Sequence, residues 1–159
     1  VSVCNDECRG TVFKNILVPV DGGELSNAAV THACTFAKEA GAQLTFYYAK
    51  PGYWPGYYVG DIAIGDAYVD PAFLAAMERQ ATNLLADAAQ VAKQAGVACE
   101  TLSTDSDVPH EGIIAAAQSK GCDLIFMASH GRRGTSALLL GSETQKVLTH
   151  CKIPVLVYR

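Results

Sequence analysis

The chain has 159 residues, half of them hydrophobic, and a formal net charge of −4 at pH 7. This length and composition suit one globular domain whose core needs no disulfide or metal to support it. The acidic balance argues against nucleic acid or an anionic membrane as a partner, and no apolar run approaches the roughly 20 residues that span a bilayer.

Residues 1–12 form a polar leader that we expect to be poorly ordered, followed by one domain over residues 13–159. Because the leader lacks the basic and apolar regions of a secretory signal, we expect a cytoplasmic protein. Cys4 and Cys8 could bind a metal or oxidise, but no neighbouring motif completes a site. The other cysteines lie in apolar or element-end contexts and are predicted to be small core residues: Cys34, Cys99, Cys122 and Cys151.

Strands and helices alternate along the domain. Apolar runs predict strands at residues 15–20, 43–49, 97–103, 123–127 and 154–158. Apolar residues at helical spacing predict helices at about 24–40, 70–96, 107–120 and 142–150, and glycines at 41, 96 and 121 are expected to end the first three. Residues 50–70 break this rhythm with many Gly, Pro and Tyr residues, which predicts a long loop that acts as a lid or a subunit contact.

This alternation predicts one parallel sheet with helices on both faces. In such sheets, ligands bind beyond the carboxyl ends of the strands, where the strand order reverses. Asp21 follows the first strand and the glycine-punctuated segment 128–142 follows the fourth, so the two meet at one rim if those strands are neighbours. That segment ends at a predicted helix start, which attracts anions, and Ser142 with Gln145 predicts a capping box there.

Four motifs together resemble the universal stress proteins of the UspA superfamily. They are NILVPVDG at residues 15–22, SHGRRG at 129–134, LGS at 140–142 and IPVLV at 153–157. The resemblance covers essentially all of residues 13–159. It implies a single α/β domain that is Rossmann-like, of the adenine nucleotide alpha hydrolase type. Its five-stranded parallel sheet would have the order 3-2-1-4-5, with helices on both faces, and the protein would usually be a homodimer.

The nucleotide-binding branch of this superfamily holds ATP or AMP and carries the signature G-x2-G-x9-G-[ST]. Here the signature positions are Ala128, Gly131, Gly141 and Ser142, so alanine replaces the first glycine. Alanine costs little where φ is negative, and more where φ is positive or where the backbone must touch the ligand. We therefore expect nucleotide binding to be retained, at an affinity that this alanine could lower.

The resemblance also implies roles for individual residues. Asp21 would bind the ribose or the adenine, because a carboxylate beside phosphate is unfavourable. Pro19, Val20, Ala49 and Met127 would line the base pocket. The phosphates, with or without Mg²⁺, would lie in a cradle formed by Gly131, Gly141, Ser142, Glu143 and Thr144, with Ala128, His130 and Arg132 beside it. No catalytic residue and no protein metal site is assigned. A plain strand-to-helix turn at Asp21 stays open as the alternative.

The favoured function is a dimeric stress-response regulator or sensor that binds an adenine nucleotide. One alternative is a slow ATP hydrolase with weak activity at most, because no general base is assigned. The other is an interaction module that works without nucleotide, which the missing first glycine keeps open. We expect the homodimer to form through residues 154–158, since an exposed apolar strand at a sheet edge invites pairing with a second copy.

Overall fold

The computed structural model describes residues 12–51, 58–59, 62–63, 71–131 and 140–159. Residues 1–11 of the leader, most of the predicted long loop and Arg132 lie outside these ranges. The main sheet consists of β1 (Asn15–Pro19), β2 (Gln43–Lys50), β5 (Cys99–Asp105), β6 (Leu124–Ala128) and β7 (Val155–Tyr158), and β3 (Tyr58–Val59) pairs separately with β4 (Ile62–Ala63). The described helices are α1 (Glu24–Ala40), α2 (Pro71–Ala95), α3 (Pro109–Ser119) and α4 (Ser142–His150).

The main sheet is parallel throughout and has the order β5-β2-β1-β6-β7. Counted among these five strands alone, this is the order 3-2-1-4-5 that the resemblance implies. β1 lies between β2 and β6, with Leu17 opposite both Thr45 and Ile125. The predicted adjacency of the first and fourth long strands is therefore confirmed, and their carboxyl ends lie at the same edge.

Side chains alternate between two cores because successive residues of a strand face opposite sides of the sheet. The larger core, which we call the α1–α2 core, takes Ile16 and Val18 of β1 together with the alanine-rich faces of α1 and α2. The smaller core, the α3–α4 core, takes Leu17 from the same strand and packs it against α3 and α4. The central strands are thus covered on both faces, as their continuous apolar runs predict.

Most element boundaries agree with the sequence pattern to within about two residues. Gly41, Gly96 and Gly121 lie at the ends of the first three helices with φ values of 66°, 73° and 62°, the left-handed conformation that ends helices. The described part of residues 50–70 contains the antiparallel pair β3–β4, which the prediction of an unbroken loop missed. No helix in the described part of the chain is long and apolar enough to cross a bilayer.

The prediction of a capping box at the start of α4 is wrong. Gly141 is the N-cap residue, with extended backbone, and no side chain caps the helix. Ser142 is consequently the first helical residue, and the Gln145 side chain donates instead to the Leu140 carbonyl at 2.9 Å.

The described cysteines are free thiols, and Cys34 and Cys122 are buried as predicted. Cys99 and Cys151 are only partly buried. Burial, with a further contribution from Cys99, raises the pKa of the Cys34 thiol to about 11, so that this side chain stays neutral and serves as a small core residue.

Candidate functional site

Asp21 lies in a tight turn between β1 and α1. Its Oδ1 atom accepts a hydrogen bond from the Gly23 amide at 2.8 Å, and its own amide donates to Ser26 Oγ at 3.2 Å. A carboxylate that bonds to the amide two residues further on forms an Asx turn, which is why Asp followed by Gly is favoured here. The bond from Gly23 orients the Asp21 side chain, and the bond to Ser26 fixes its backbone, at the carboxyl edge of the sheet.

The turn that follows β6 comes directly against this carboxylate. A methyl group placed on Gly131 would come within 2.6 Å of Asp21 Oδ2, so a residue with a Cβ atom here would force the carboxylate to move. A methyl group on Gly141 would come within 3.0 Å of the His130 Cα atom, and the Gly141 amide donates to the Ser129 carbonyl at 2.7 Å. Asp21, Gly131, His130 and Gly141 therefore form one continuous rim, as the sequence predicts.

The start of α4 is fixed to β6 by a buried hydrogen bond. The hydroxyl of Thr144, a residue that is 3% exposed, donates to the Ala128 carbonyl at 3.0 Å. Gly141 and Ser142 precede this point, so the first amides of α4 are held at the rim where the turn after β6 ends. The first four amides of a helix have no partner within that helix, which makes such a start suited to an anion.

The residues predicted to line a base pocket do not all face the same way. Ala49 packs against the α3–α4 core, and Met127 belongs to that core with 6% of its surface exposed. Val20 belongs instead to the α1–α2 core. Pro19, the last residue of β1, is half-buried and lies opposite Tyr47 of β2. The residues predicted to line the base pocket therefore lie on both faces of the sheet, near its carboxyl edge.

The Glu143 carboxylate is bound to the start of α3 as well as to Lys146 of its own helix. Its Oε2 atom accepts a hydrogen bond from the His110 amide at 2.9 Å and lies 3.1 Å from Nδ1 of the His110 ring, while Oε1 accepts from Lys146 Nζ at 3.0 Å. Burial raises the pKa of Glu143, but the hydrogen bonds from Lys146 and His110 outweigh it and hold the pKa below the usual 4.5. Glu143 is therefore ionised and engaged at its side chain, and its backbone remains at the rim.

Sequence reasoning missed His110 and Ser26 as members of this region. His110 is 33 residues from Glu143, so no local pattern signals their contact. Ser26 could have been found, because a serine in the first turn of a helix five residues after an aspartate is placed to contact the aspartate amide.

An open groove of about 560 Å³ lies between the first turn of α1 and the turn after β6. Its lining includes Gly23, Glu24, Ser26, His130 and Gly131. Among the described residues, no group of three His, Cys, Asp or Glu side chains could hold a metal ion.

Comparison with known proteins assigns the family. The model of the universal stress protein family matches residues 13–159. The chain belongs to the universal stress protein family. A curated relative, universal stress protein MJ0531 from Methanocaldococcus jannaschii, is 30% identical over 148 residues, which cover 93% of this chain and 83% of the relative.

Solved structures of the family agree with the fold. A universal stress protein family member from Burkholderia pseudomallei is 28% identical, with a TM-score of 0.67, and the match covers 91% of this chain and 95% of the other. A universal stress protein described as a complex with cAMP is 24% identical, with a TM-score of 0.66, covering 92% and 97% respectively. The five-stranded Rossmann-like architecture is thus a fold of universal stress proteins.

Ala128, which replaces the first glycine of the signature, is not strained in this structure. No residue other than glycine in the described part of the chain has a positive φ, so alanine is compatible with the backbone here. Ala128 ends β6 opposite Tyr158 and packs against the α1–α2 core. Its methyl group therefore faces the opposite side of the sheet from α4.

Proposed function

We propose that this protein binds an adenine nucleotide at the carboxyl edge of its sheet and acts as a dimeric regulator or sensor in the stress response. The observation that carries the proposal is the close approach of the Asp21 carboxylate to Gly131, with Gly141 packed against the adjoining His130. This packing brings a hydrogen-bond acceptor for a ribose close to a helix start that is suited to phosphate. The universal stress protein whose solved structure contains cAMP supports this class of ligand.

In the proposed orientation, the nucleoside lies at Asp21 and the phosphates lie near Gly141 and the amides of Ser142, Glu143 and Thr144. The opposite orientation would put phosphate against the Asp21 carboxylate, which is electrostatically unfavourable. The Glu143 side chain does not oppose the phosphate end in the same way, because it is bound by His110 and Lys146.

Calorimetric titration with ATP, AMP and adenosine, with and without Mg²⁺, tests the proposal. We expect Asp21→Asn to weaken all three about tenfold, since a hydrogen bond to a charged group contributes about 1.5–3 kcal/mol. Asp87→Asn, on the exposed side of α2, is the matched control and should bind as the unaltered protein does. Absence of binding by the unaltered protein at millimolar nucleotide would favour the interaction module that works without nucleotide.

A second variant tests the orientation. Ser142→Ala at the start of α4 should weaken ATP binding more than adenosine binding, while Ser119→Ala at the end of α3 should change neither. Equal losses for both ligands with Ser142→Ala would contradict the proposed orientation. Phosphate release measured on the same samples would detect turnover, and turnover would replace the sensor role by that of a slow hydrolase.

We propose further that the dimer forms through β7, which lies at one edge of the sheet. The carbonyls of Pro154 and Tyr158 accept hydrogen bonds from Ile125 and Ser129. Because backbone groups alternate sides along a strand, Val155 and Val157 direct theirs to the open edge. That edge therefore offers donors and acceptors to a second copy of the chain.

Val157→Pro removes one open-edge donor without removing a bond to β6, and Val157→Ala serves as the control that keeps the donor. Sedimentation velocity should show a dimer for the unaltered protein and the alanine variant, and dissociation for the proline variant. A dimer that is unchanged in Val157→Pro would place the interface elsewhere.

A further inference from the structure

His110 occupies an unusual position between the starts of two helices. It lies in the first turn of α3, which has no side-chain cap of its own, and Pro109 before it has no amide to donate. The carboxylate that accepts the His110 amide comes from the first turn of α4. Glu143 thus caps α3 although it belongs to α4.

A carboxylate in the first turn of a helix ordinarily interacts with the amides of its own helix start. At α4 those amides are the ones we assign to phosphate, so an unrestrained Glu143 side chain would compete with the ligand for them. As part of the same chain, it would compete at a high effective concentration.

Three hydrogen bonds prevent this competition. The His110 amide and ring both contact Oε2, and Lys146 contacts Oε1, so both carboxylate oxygens are engaged. The His110 side chain is only 12% exposed, so its ring has few alternative positions. Lys146 is 47% exposed, so the histidine is the more firmly held of the two partners.

We propose that His110 is a positioning residue for the phosphate end of the nucleotide site. By holding the Glu143 carboxylate against the start of α3, it leaves the start of α4 to the phosphates. This inference rests on the proposed function, and it predicts a selective role: His110 supports affinity for phosphorylated ligands and leaves affinity for the unphosphorylated nucleoside unaffected.

The test compares ATP with adenosine by calorimetry in four proteins. His110→Ala removes the ring contact to Oε2 and keeps the amide contact, so it should weaken ATP binding by up to about fivefold, the upper effect of a charge near a helix start, and leave adenosine binding unchanged. Adding Glu143→Gln to His110→Ala should restore most of the ATP affinity, because the competing charge is gone. His150→Ala, which removes the other imidazole between α3 and α4 without touching Glu143, should bind both ligands as the unaltered protein does.

The outcomes separate this inference from the proposed function. If the unaltered protein binds neither ligand, the proposed function fails and the inference fails with it. If the unaltered protein binds ATP but His110→Ala weakens ATP and adenosine equally, or if Glu143→Gln does not restore binding, only the inference is overturned. A double-mutant cycle of urea unfolding for His110→Ala and Glu143→Gln gives a readout without nucleotide: no coupling between the two positions would also overturn it.

Discussion

The helices are held against the two faces of the sheet by different kinds of contact. On the α1–α2 face, alanines such as Ala33 and Ala92 are fully buried and let the helices pack closely against large strand side chains such as Phe46. On the α3–α4 face, the core is smaller and side-chain hydrogen bonds supplement it, between Glu143 and His110 and between Thr144 and β6.

This difference separates stability from function within one small domain. Apolar packing is non-directional and contributes most of the free energy of folding. Hydrogen bonds are directional and therefore hold particular atoms in place. On the face whose helix start we assign to phosphate, side-chain hydrogen bonds hold the starts of α3 and α4, whereas the bond from Lys50 to Glu78 on the other face lies beyond the first turn of α2. We therefore expect substitutions on the α1–α2 face to affect mainly stability, and those that break polar contacts on the α3–α4 face to affect nucleotide binding as well.

The largest expected effect comes from Phe46→Ala on the α1–α2 face. The side chain is fully buried, and loss of such a phenylalanine typically costs about 3–5 kcal/mol. Urea unfolding should show this loss, while the nucleotide affinity of the molecules that remain folded stays unchanged. A loss below about 1 kcal/mol would mean that this core is less tightly packed than the structure shows.

Thr144→Val tests the hydrogen bond that attaches α4 to β6 on the other face, with little change in side-chain volume. Removing the hydroxyl leaves the Ala128 carbonyl without its donor, which should cost about 1–2 kcal/mol of unfolding free energy and weaken ATP binding. Thr149→Val is the control, since that exposed hydroxyl bonds only to the Gln145 carbonyl within α4. Equal losses from the two variants would show that burial of the bond at Thr144 does not matter.

The sequence was sufficient to predict the architecture because the central strands are buried on both faces. β1, β2 and β6 read as apolar runs, and glycines mark the helix ends, so the strand and helix assignments are confirmed. The predicted start of β5, residue 97, differs from the observed start at Cys99. This edge strand mixes polar and apolar residues, so its sequence pattern is a weaker signal for a strand.

The site was less predictable than the fold. The sequence predicted the rim that joins Asp21 to Gly131, because parallel topology brings the carboxyl ends of strands together. It did not predict the contact of His110 with Glu143, since a pair 33 residues apart has no local periodicity. It also misassigned the cap of α4, because the extended backbone of Gly141 provides the N-cap and moves Ser142 into the helix.

Ala128→Gly restores the family signature and sharpens the comparison of the two faces. The methyl group packs toward the α1–α2 core, so we expect its loss, together with the greater chain entropy of glycine, to cost about 1 kcal/mol of stability. ATP affinity should change less than twofold by calorimetry, because φ at this position is not positive and the methyl group faces away from α4. An increase of tenfold would show instead that the methyl group obstructs the ligand.

The smallest expected effect is the pH dependence of the Glu143 contact. The folded pKa of Glu143 is lowered below the usual 4.5, so its contribution to stability is fully present above pH 4.5 and is lost as the pH falls through the lowered value. Unfolding in urea should show a gap of about 0.5–1 kcal/mol between the unaltered protein and Glu143→Gln at neutral pH, the size expected for a partly exposed pair. The gap should close below pH 4.5 as the carboxyl group becomes protonated.

Glu100→Gln is the control for this prediction. It breaks the largely exposed pair with Lys120 and should give a smaller gap in unfolding free energy. A gap for Glu143→Gln that persists unchanged in acid would show that the contact between α3 and α4 does not depend on the carboxylate charge. The hydrogen bond of Thr144 to β6 would then be the polar contact that distinguishes this face of the sheet.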